Sequence, residues 1–338
     1  MIWIAFAALG GILQGSFALP MKYTKKWKWE NVWSMWSMWT LLIVPWIIGF
    51  LAIPNLLQVY AQSTFKSVFL VFFFGFIWGI SAIAVGKGLD YLGLALGFSL
   101  IMGLVIAVGS ILPLLIDNPQ DILTQSGLRL IVGVIIVVAG MILSACAAVL
   151  KQKDIASSIQ TGELRQHKSF ATGLVICVVA GLTAPMLNYA FIYGDQLRIT
   201  AENLGATKTL APNAIWTIAL FGGFIINFVY CMWLVRKNKT VNLYKEKGTG
   251  LYYLYTLIMG ILWAGGISVY GMATANLGKL GPSIGWGIFF GMAIFWANFL
   301  GLIAKEWKGV KSKTYIIMTV GLIILLLGIY IIGWANSF

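Results

Sequence analysis

The chain has 338 residues, of which 60% are hydrophobic and only 10% charged, and its mean hydropathy is +0.91. That leaves too little polar surface to cover a water-soluble domain, so the bilayer has to be the solvent. The formal charge of +13 at first suggests a nucleic-acid or lipid-surface partner, but its distribution gives a simpler cause, described below.

Lipid offers no partners to backbone N–H and C=O groups, so apolar runs of about twenty residues without alternation are helices. The fold class is an all-α integral membrane bundle with ten predicted transmembrane helices, over 2–20, 33–53, 67–86, 93–116, 129–149, 171–192, 212–235, 253–273, 282–303 and 315–334. Helix 1 has no basic segment before it and no small-residue cleavage site after it, so it is read as a span rather than a secretory leader. It carries Gly10, Gly11, Gln14 and Gly15. An amide in an apolar span faces protein or a wet cavity, which makes Gln14 a candidate lining residue as well as a candidate interhelical bond.

The stretch TKKWKWENVWSMWSMW from Thr24 leads into helix 2. Lysines beside Trp27 and Trp29 suit a cytoplasmic headgroup interface and contact with membrane lipid. Trp33, Trp36 and Trp39 continue along one slowly turning face with Ser37 and Thr40, which reads as lipid-facing packing or as a platform on which a sugar ring stacks.

GFIWGISAIAVGKGLDYLG, from Gly75 to Gly93, returns as GILWAGGISVYGMATANLG from Gly260 to Gly278. At one offset of 185 residues, Gly75/Gly260, Trp78/Trp263, Gly86/Gly271, Leu92/Leu277 and Gly93/Gly278 coincide. GVIIVVAG from Gly133 and GLIILLLG from Gly321 add Gly133/Gly321 and Gly140/Gly328. The chain therefore reads as two five-helix repeats, 1–155 and 165–338. Five is odd, so the second enters the membrane inverted, as in secondary transporters whose substrate sits near the midplane between the repeats.

The loops after helices 1, 3, 5, 7 and 9 hold eighteen of the twenty-three basic residues. The positive-inside rule makes those loops cytoplasmic and puts both termini on the other side of the membrane. Topology thus accounts for the charge, and no nucleic-acid partner is expected.

Helix 3 ends in GKGLD, placing Lys87 and Asp90 within ion-pair reach, as an interface pair, a gate or a proton relay. Helix 4 has glycines spaced for close approach to a neighbour. Helices 5 and 10 are nearly pure aliphatic and are expected to face lipid or pair with a second copy of the chain in a homodimer. His167, the only histidine, falls in the polar loop between the repeats, not in a span.

Helix 6 has Pro185 breaking its backbone ladder beside Asn188. Helices 7, 8 and 9 add Asn227, Trp263 and Asn298. A carboxamide matches a pair of sugar hydroxyls as both donor and acceptor, and an indole face stacks on the apolar face of a sugar. The candidate substrate-binding residues are Gln14, Trp78, Asn188, Asn227, Trp263 and Asn298, each asparagine being equally readable as a helix-to-helix bond. None of the ten acids lies centrally in a span, which disfavours cationic substrates and suits a neutral polar metabolite. For proton coupling this leaves carboxylates near span ends: Asp90, Glu30 and, next in order, Glu306. No metal or cofactor motif is present, nor a phosphate loop or nucleophile motif of a membrane enzyme.

Trp-Lys-Trp-Glu-Asn-Val-Trp-Ser from Trp27, Leu42 to Trp46 with Pro45, the pair Pro54 and Asn55, FGFIWGI from Phe74, YLGLALG from Tyr91 and the Lys-Glu-Trp run at Lys305 to Trp307 resemble the bacterial L-rhamnose–proton symporter family of the drug/metabolite transporter superfamily. The resemblance runs through nearly the whole chain. It implies an inner-membrane carrier that imports L-rhamnose or a related deoxyhexose with protons, its termini periplasmic. Two stretches depart from the family's pattern: Ser81 to Val85, where Asn-rich polar residues are expected, and helix 9 from Pro282. An exporter or a facilitator of another small polar metabolite is the alternative, ahead of a membrane enzyme.

Overall fold

The structure, a computed structural model, describes residues 2–156, 170–304 and 307–335; within its helices the side chains at 90, 93–96, 98–99, 152, 155 and 156 lie outside that description. His167 and Glu306 fall outside the described residues. Among those described, ten helical segments are long and apolar enough to cross a bilayer, beginning with Ile2–Tyr23 and Trp29–Ala52 and ending with Gly281–Ile303 and Ser312–Trp334. Each overlaps a span predicted from the apolar runs.

The first span is α1 (Ile2–Ser16) followed by a 3-10 turn, Leu19–Tyr23, that starts around Pro20. The second begins as α2 (Trp29–Ser37), widens into a π turn over Met38–Ile43 and resumes as α3 (Val44–Ala52). Pro45 explains the widening. It lacks an N–H and its ring crowds the carbonyl four residues back, so the helix passes it with an i→i−5 bond from Val44 N to Trp39 O. Asn55, left-handed at φ 57°, turns the chain from α3 into α4 (Leu56–Gln62).

Spans three and four form one unbroken helix, α5 (Phe65–Asp117), in place of the two predicted over 67–86 and 93–116. Fifty-three residues in a straight helix would reach about 80 Å, far beyond a hydrocarbon core of about 30 Å. The chain instead doubles back: a Cβ on Gly97 would lie 3.2 Å from Gly88 O and 3.4 Å from Leu89 Cα. Next come α6 (Gln125–Ala156), α7 (Phe170–Thr183) and α8 (Met186–Tyr193), the last two separated at Pro185 as its missing N–H predicts. The loop after α8 holds a short helix, α9 (Asp195–Asn203), where Gln196 Oε1 accepts from Thr64 and Ser67 at 2.7 and 2.6 Å. The remaining spans are α10 (Asn213–Lys237), α11 (Gly250–Thr274), α12 (Gly281–Ile303) and α13 (Ser312–Trp334).

Packing divides the chain into two compact units. One is Met1–Ile80 with Met186–Pro282; the other is Ser81–Pro185 with Ser283–Phe338. Each takes residues from both sequence repeats.

The first unit is held by side chains and by glycine contacts: on α5 and α10, a Cβ at Gly75 would meet Ala219 O and one at Gly222 would meet Phe72 O. α1 lies on α11 where Gly266 meets Gly10 O and the backbone of Gln14. Trp27 is buried rather than at a headgroup surface: its Nε1 donates to Leu243 O at 2.9 Å, and Tyr244, Tyr252 and Tyr253 stand edge-on around its ring.

The second unit is built on α6 and α13. Gly133 faces Gly328 O and Ile332 N, Gly140 faces Gly321 O and Leu325 N, and a Cβ on any of the four glycines would meet the partner's backbone. Lower numbers on one helix meet higher numbers on the other, so the pair is antiparallel. Its ends are fastened by Arg129 over Trp334, Lys151 over Trp307 and Asp154 accepting from Thr314 at 2.7 Å. The two aliphatic helices expected to face lipid or a second copy thus bury their glycine faces on each other, because only the smallest residues let backbones approach this closely.

Candidate substrate site

The tryptophans of α2 recur three and four residues apart and so fall on one helical face. Trp29 stacks on Trp33 at 5.3 Å, Trp33 lies 4.2 Å from Trp36, and Trp36 stands edge-on to Trp263 of α11 at 6.0 Å. Trp263 in turn lies 5.2 Å from Trp78 of α5. Trp78 fits because α10 presents Gly223, where a Cβ would come 2.7 Å from the indole. A continuous indole surface therefore runs from the N-terminal end of α2 into the interior of the first unit. It includes two predicted site residues and joins them to Trp36, which is 1% exposed and so does not face lipid.

The predicted polar residues divide by what already holds them. Asn227 Nδ2 donates to Gly79 O at 3.1 Å and Gly223 O at 2.9 Å, and its Oδ1 accepts from Trp33 Nε1 at 3.2 Å. Asn188 Nδ2 donates to Pro282 O at 3.1 Å while its Oδ1 accepts from the Tyr270 hydroxyl at 2.5 Å. Both amides tie helices together within the first unit. Asn298, in the second unit, donates to Ile294 O of its own helix at 2.8 Å. It lines a cavity of about 180 Å³ with Met141, Ser144, Ala145, Ala148, Ile294 and Ala297. Gln14 Oε1 is buried without a hydrogen-bond partner.

Of the coupling candidates, Glu30 is buried in the first turn of α2, where a helix N-terminus favours negative charge. Its Oε1 accepts from Asn238 Nδ2 at 2.9 Å and Thr240 Oγ1 at 3.2 Å. Asp90 lies on α5 with its side chain outside the described set, and Glu306 is not described.

Sequence reasoning gave Trp36, Trp39 and Thr40 lipid-facing packing or a stacking platform, and did not foresee that their polar atoms are left over. Trp36 Nε1, Trp39 Nε1 and Thr40 Oγ1, at and beside the π turn, are buried and lack hydrogen-bond partners. The signal available was the hydroxyl and indole spacing ahead of Pro45.

Ten helical segments able to cross a bilayer, with a buried indole surface and carboxamides within the spans of the first unit, fit a multi-pass membrane transporter. Residues 1–337 match the family model described as L-rhamnose-proton symport protein. The chain belongs to that family, which makes it a transporter and not an enzyme. It is 25% identical over 340 residues to the L-rhamnose-proton symporter of Yersinia pestis strain Pestoides F, covering 98% of this chain and 97% of that protein. The symporters of Yersinia pseudotuberculosis serotype O:1b (strain IP 31758) and serotype O:3 (strain YPIII) align to the same extent.

Proposed function

We propose that this protein imports a small neutral sugar, L-rhamnose or a related deoxyhexose, with protons across a bacterial inner membrane. Its halves, 1–155 and 165–338, act as inverted repeats of the drug/metabolite transporter superfamily with both termini periplasmic. The observation that carries this reading is the contact between Trp78 and Trp263 at 5.2 Å. These are counterparts under the 185-residue repeat, and a residue that touches its own counterpart lies beside the pseudo-two-fold axis relating the copies. Carriers built from inverted repeats bind substrate there.

The second unit supports the same symmetry independently. Gly133 corresponds to Gly321 and Gly140 to Gly328, and the contacts Gly133–Gly328 and Gly140–Gly321 exchange under that correspondence. An antiparallel pair of equivalent helices is what inversion requires. The outer faces of α6 and α13, with Ile135, Ile142, Ile323 and Leu327 exposed, are left for lipid or a second copy.

In this reading Trp78 and Trp263 stack on the methyl-bearing face of the sugar and Gln14 offers an acceptor, with Asn188 and Asn227 as the amide contacts; Asn298 is a candidate contact in the cavity of the second unit. Glu30 or Asp90 carries the proton. Uptake of labelled rhamnose, fucose and glucose in cells lacking their own carriers tests the substrate class: rhamnose should accumulate, and accumulation of amino acids or nucleosides instead would sink it. Sugar added to de-energised cells should alkalinise the medium, and Glu30→Gln or Asp90→Asn should abolish that signal while sugar exchange persists. Sugar entry without a pH change makes the protein a facilitator.

A further inference from the structure

Resting on that reading, we infer that the hydroxyl-recognising edge of the sugar site is the π turn of the second span, with Trp36, Trp39 and Thr40 supplying its hydrogen bonds together with Gln14. The starting point is a concentration of unsatisfied groups. Gln14 Oε1, Trp36 Nε1, Trp39 Nε1 and Thr40 Oγ1 are all buried without partners, whereas buried polar atoms in native proteins are paired in the large majority. Trp36 is 1% exposed and Thr40 0%.

These atoms share one neighbourhood, organised by α11. Thr40 Oγ1 and Trp39 Cβ lie against Gly260, where a Cβ would come 3.2 and 2.8 Å from them. One turn further along α11, Trp263 meets the Trp36 ring at 6.0 Å. The next turn carries Gly266, against the Gln14 backbone.

Thr40 lies within the π turn and keeps its hydroxyl unspent. A hydroxyl inside a helix ordinarily bonds back to the carbonyl four residues earlier, as Ser37 does to Trp33 O at 2.7 Å and Thr217 to Asn213 O at 2.8 Å. Thr40 makes no such bond, so its buried hydroxyl is available to a ligand. The set comprises two indole donors, one hydroxyl and one amide oxygen, and none of these groups is charged. It complements the hydroxyl edge of a neutral polyol and offers no counter-charge to an acid or an amine. The atoms are closed to water, so the ligand displaces the Trp36–Trp263 edge contact in order to meet them.

The test sets transport against stability. Thr40→Val keeps the shape and deletes the polar atom, Trp36→Phe deletes the indole N–H together with one ring, and Ser37→Ala, whose hydroxyl is already spent on its own helix, is the control. Purified protein is assayed for rhamnose KM in proteoliposomes and for thermal midpoint in detergent. Loss of one ligand hydrogen bond should raise KM about three- to tenfold per variant, while the midpoint of Thr40→Val stays or rises because a buried orphan has been removed and that of Trp36→Phe falls with the lost ring. Ser37→Ala should leave KM unchanged. An unchanged KM in both variants overturns the inference whatever the midpoint does. A wild-type protein that carries no neutral sugar overturns the functional reading beneath it and this inference together, and that result is distinct from variants that fail in a working carrier.

Discussion

The two compact units weight the same two means differently. Between helices in lipid there is no hydrophobic drive, so association rests on close packing and on hydrogen bonds. The α6–α13 pair rests on the first: four glycines bring the backbones together and charged ends lock the pair. The unit containing α2, α10 and α11 adds the second to glycine contacts of its own, with indoles in series and asparagines bonded across helices. Gln14, Trp36, Trp39 and Thr40, whose buried polar atoms have no partner, gather in that unit beside α11. A glycine seam is hard to alter without unfolding, whereas a polar interior can exchange an internal bond for a ligand.

That contrast is broken most severely at the seam. A Cβ at Gly140 would lie 2.5 Å from Leu325 N, so Gly140→Leu should cost well over the roughly 1–3 kcal/mol of ordinary overpacking and abolish folded protein, read as yield and thermal midpoint in detergent. Gly103→Ala, whose nearest neighbour would be Met141 Cε at 3.4 Å, should be tolerated. If Gly140→Leu melts like wild type, the seam is not what holds this unit.

In the other unit, Trp263→Phe keeps a ring against Trp36 and Trp78 but narrows the stacking surface. Sugar uptake should fall about tenfold, equivalent to about 1.4 kcal/mol, with the midpoint little changed. A wild-type uptake rate would remove this indole from the site.

The asparagines sharpen the comparison. Asn188→Leu removes the bonds to the Tyr270 hydroxyl and to Pro282 O, so it should lower stability by about 1–3 kcal/mol. Asn298→Leu gives up only a bond to its own helix and should melt near wild type. Should the two melt alike, the amide of Asn188 is not the structural tie its geometry describes.

The smallest effect is a pH dependence at one end of the α6–α13 pair. The Thr314 hydroxyl first, then the Lys311 N–H and ammonium, hold the Asp154 carboxyl below the ordinary carboxylate range. A lowered folded-state pKa stabilises above the unfolded value and is lost as pH falls through the folded one. Melting should therefore weaken on acidification below about pH 4, and Thr314→Val should flatten that slope. An identical acid profile in the variant would detach Asp154 from the clasp.

Much of this was legible in the sequence, for physical reasons that mark its limits. Bilayer thickness sets span length, so ten apolar runs located ten helices. Pro185 announced the break between α7 and α8, since a missing N–H acts locally. The same chemistry at Pro45 gave a π turn instead of a break, because the neighbouring helices decide how a freed carbonyl is accommodated. The asparagines of the spans were found, but whether Asn188 spends its amide on Pro282 or on a ligand depends on a residue 94 positions away. Helices 5 and 10 looked lipid-facing because aliphatic composition does not say which face is buried. The spacing of Gly133, Gly140, Gly321 and Gly328 carried that information and was read only as a repeat.

The reversal within α5 bears on how the chain is made. With Gly97 lying back against Gly88, only a short connector with two charged residues, Lys87 and Asp90, separates the third span from the fourth. The two are therefore expected to leave the translocon as a single hairpin, so that a point change that spoils either would strand both during synthesis, before any transport could be assayed.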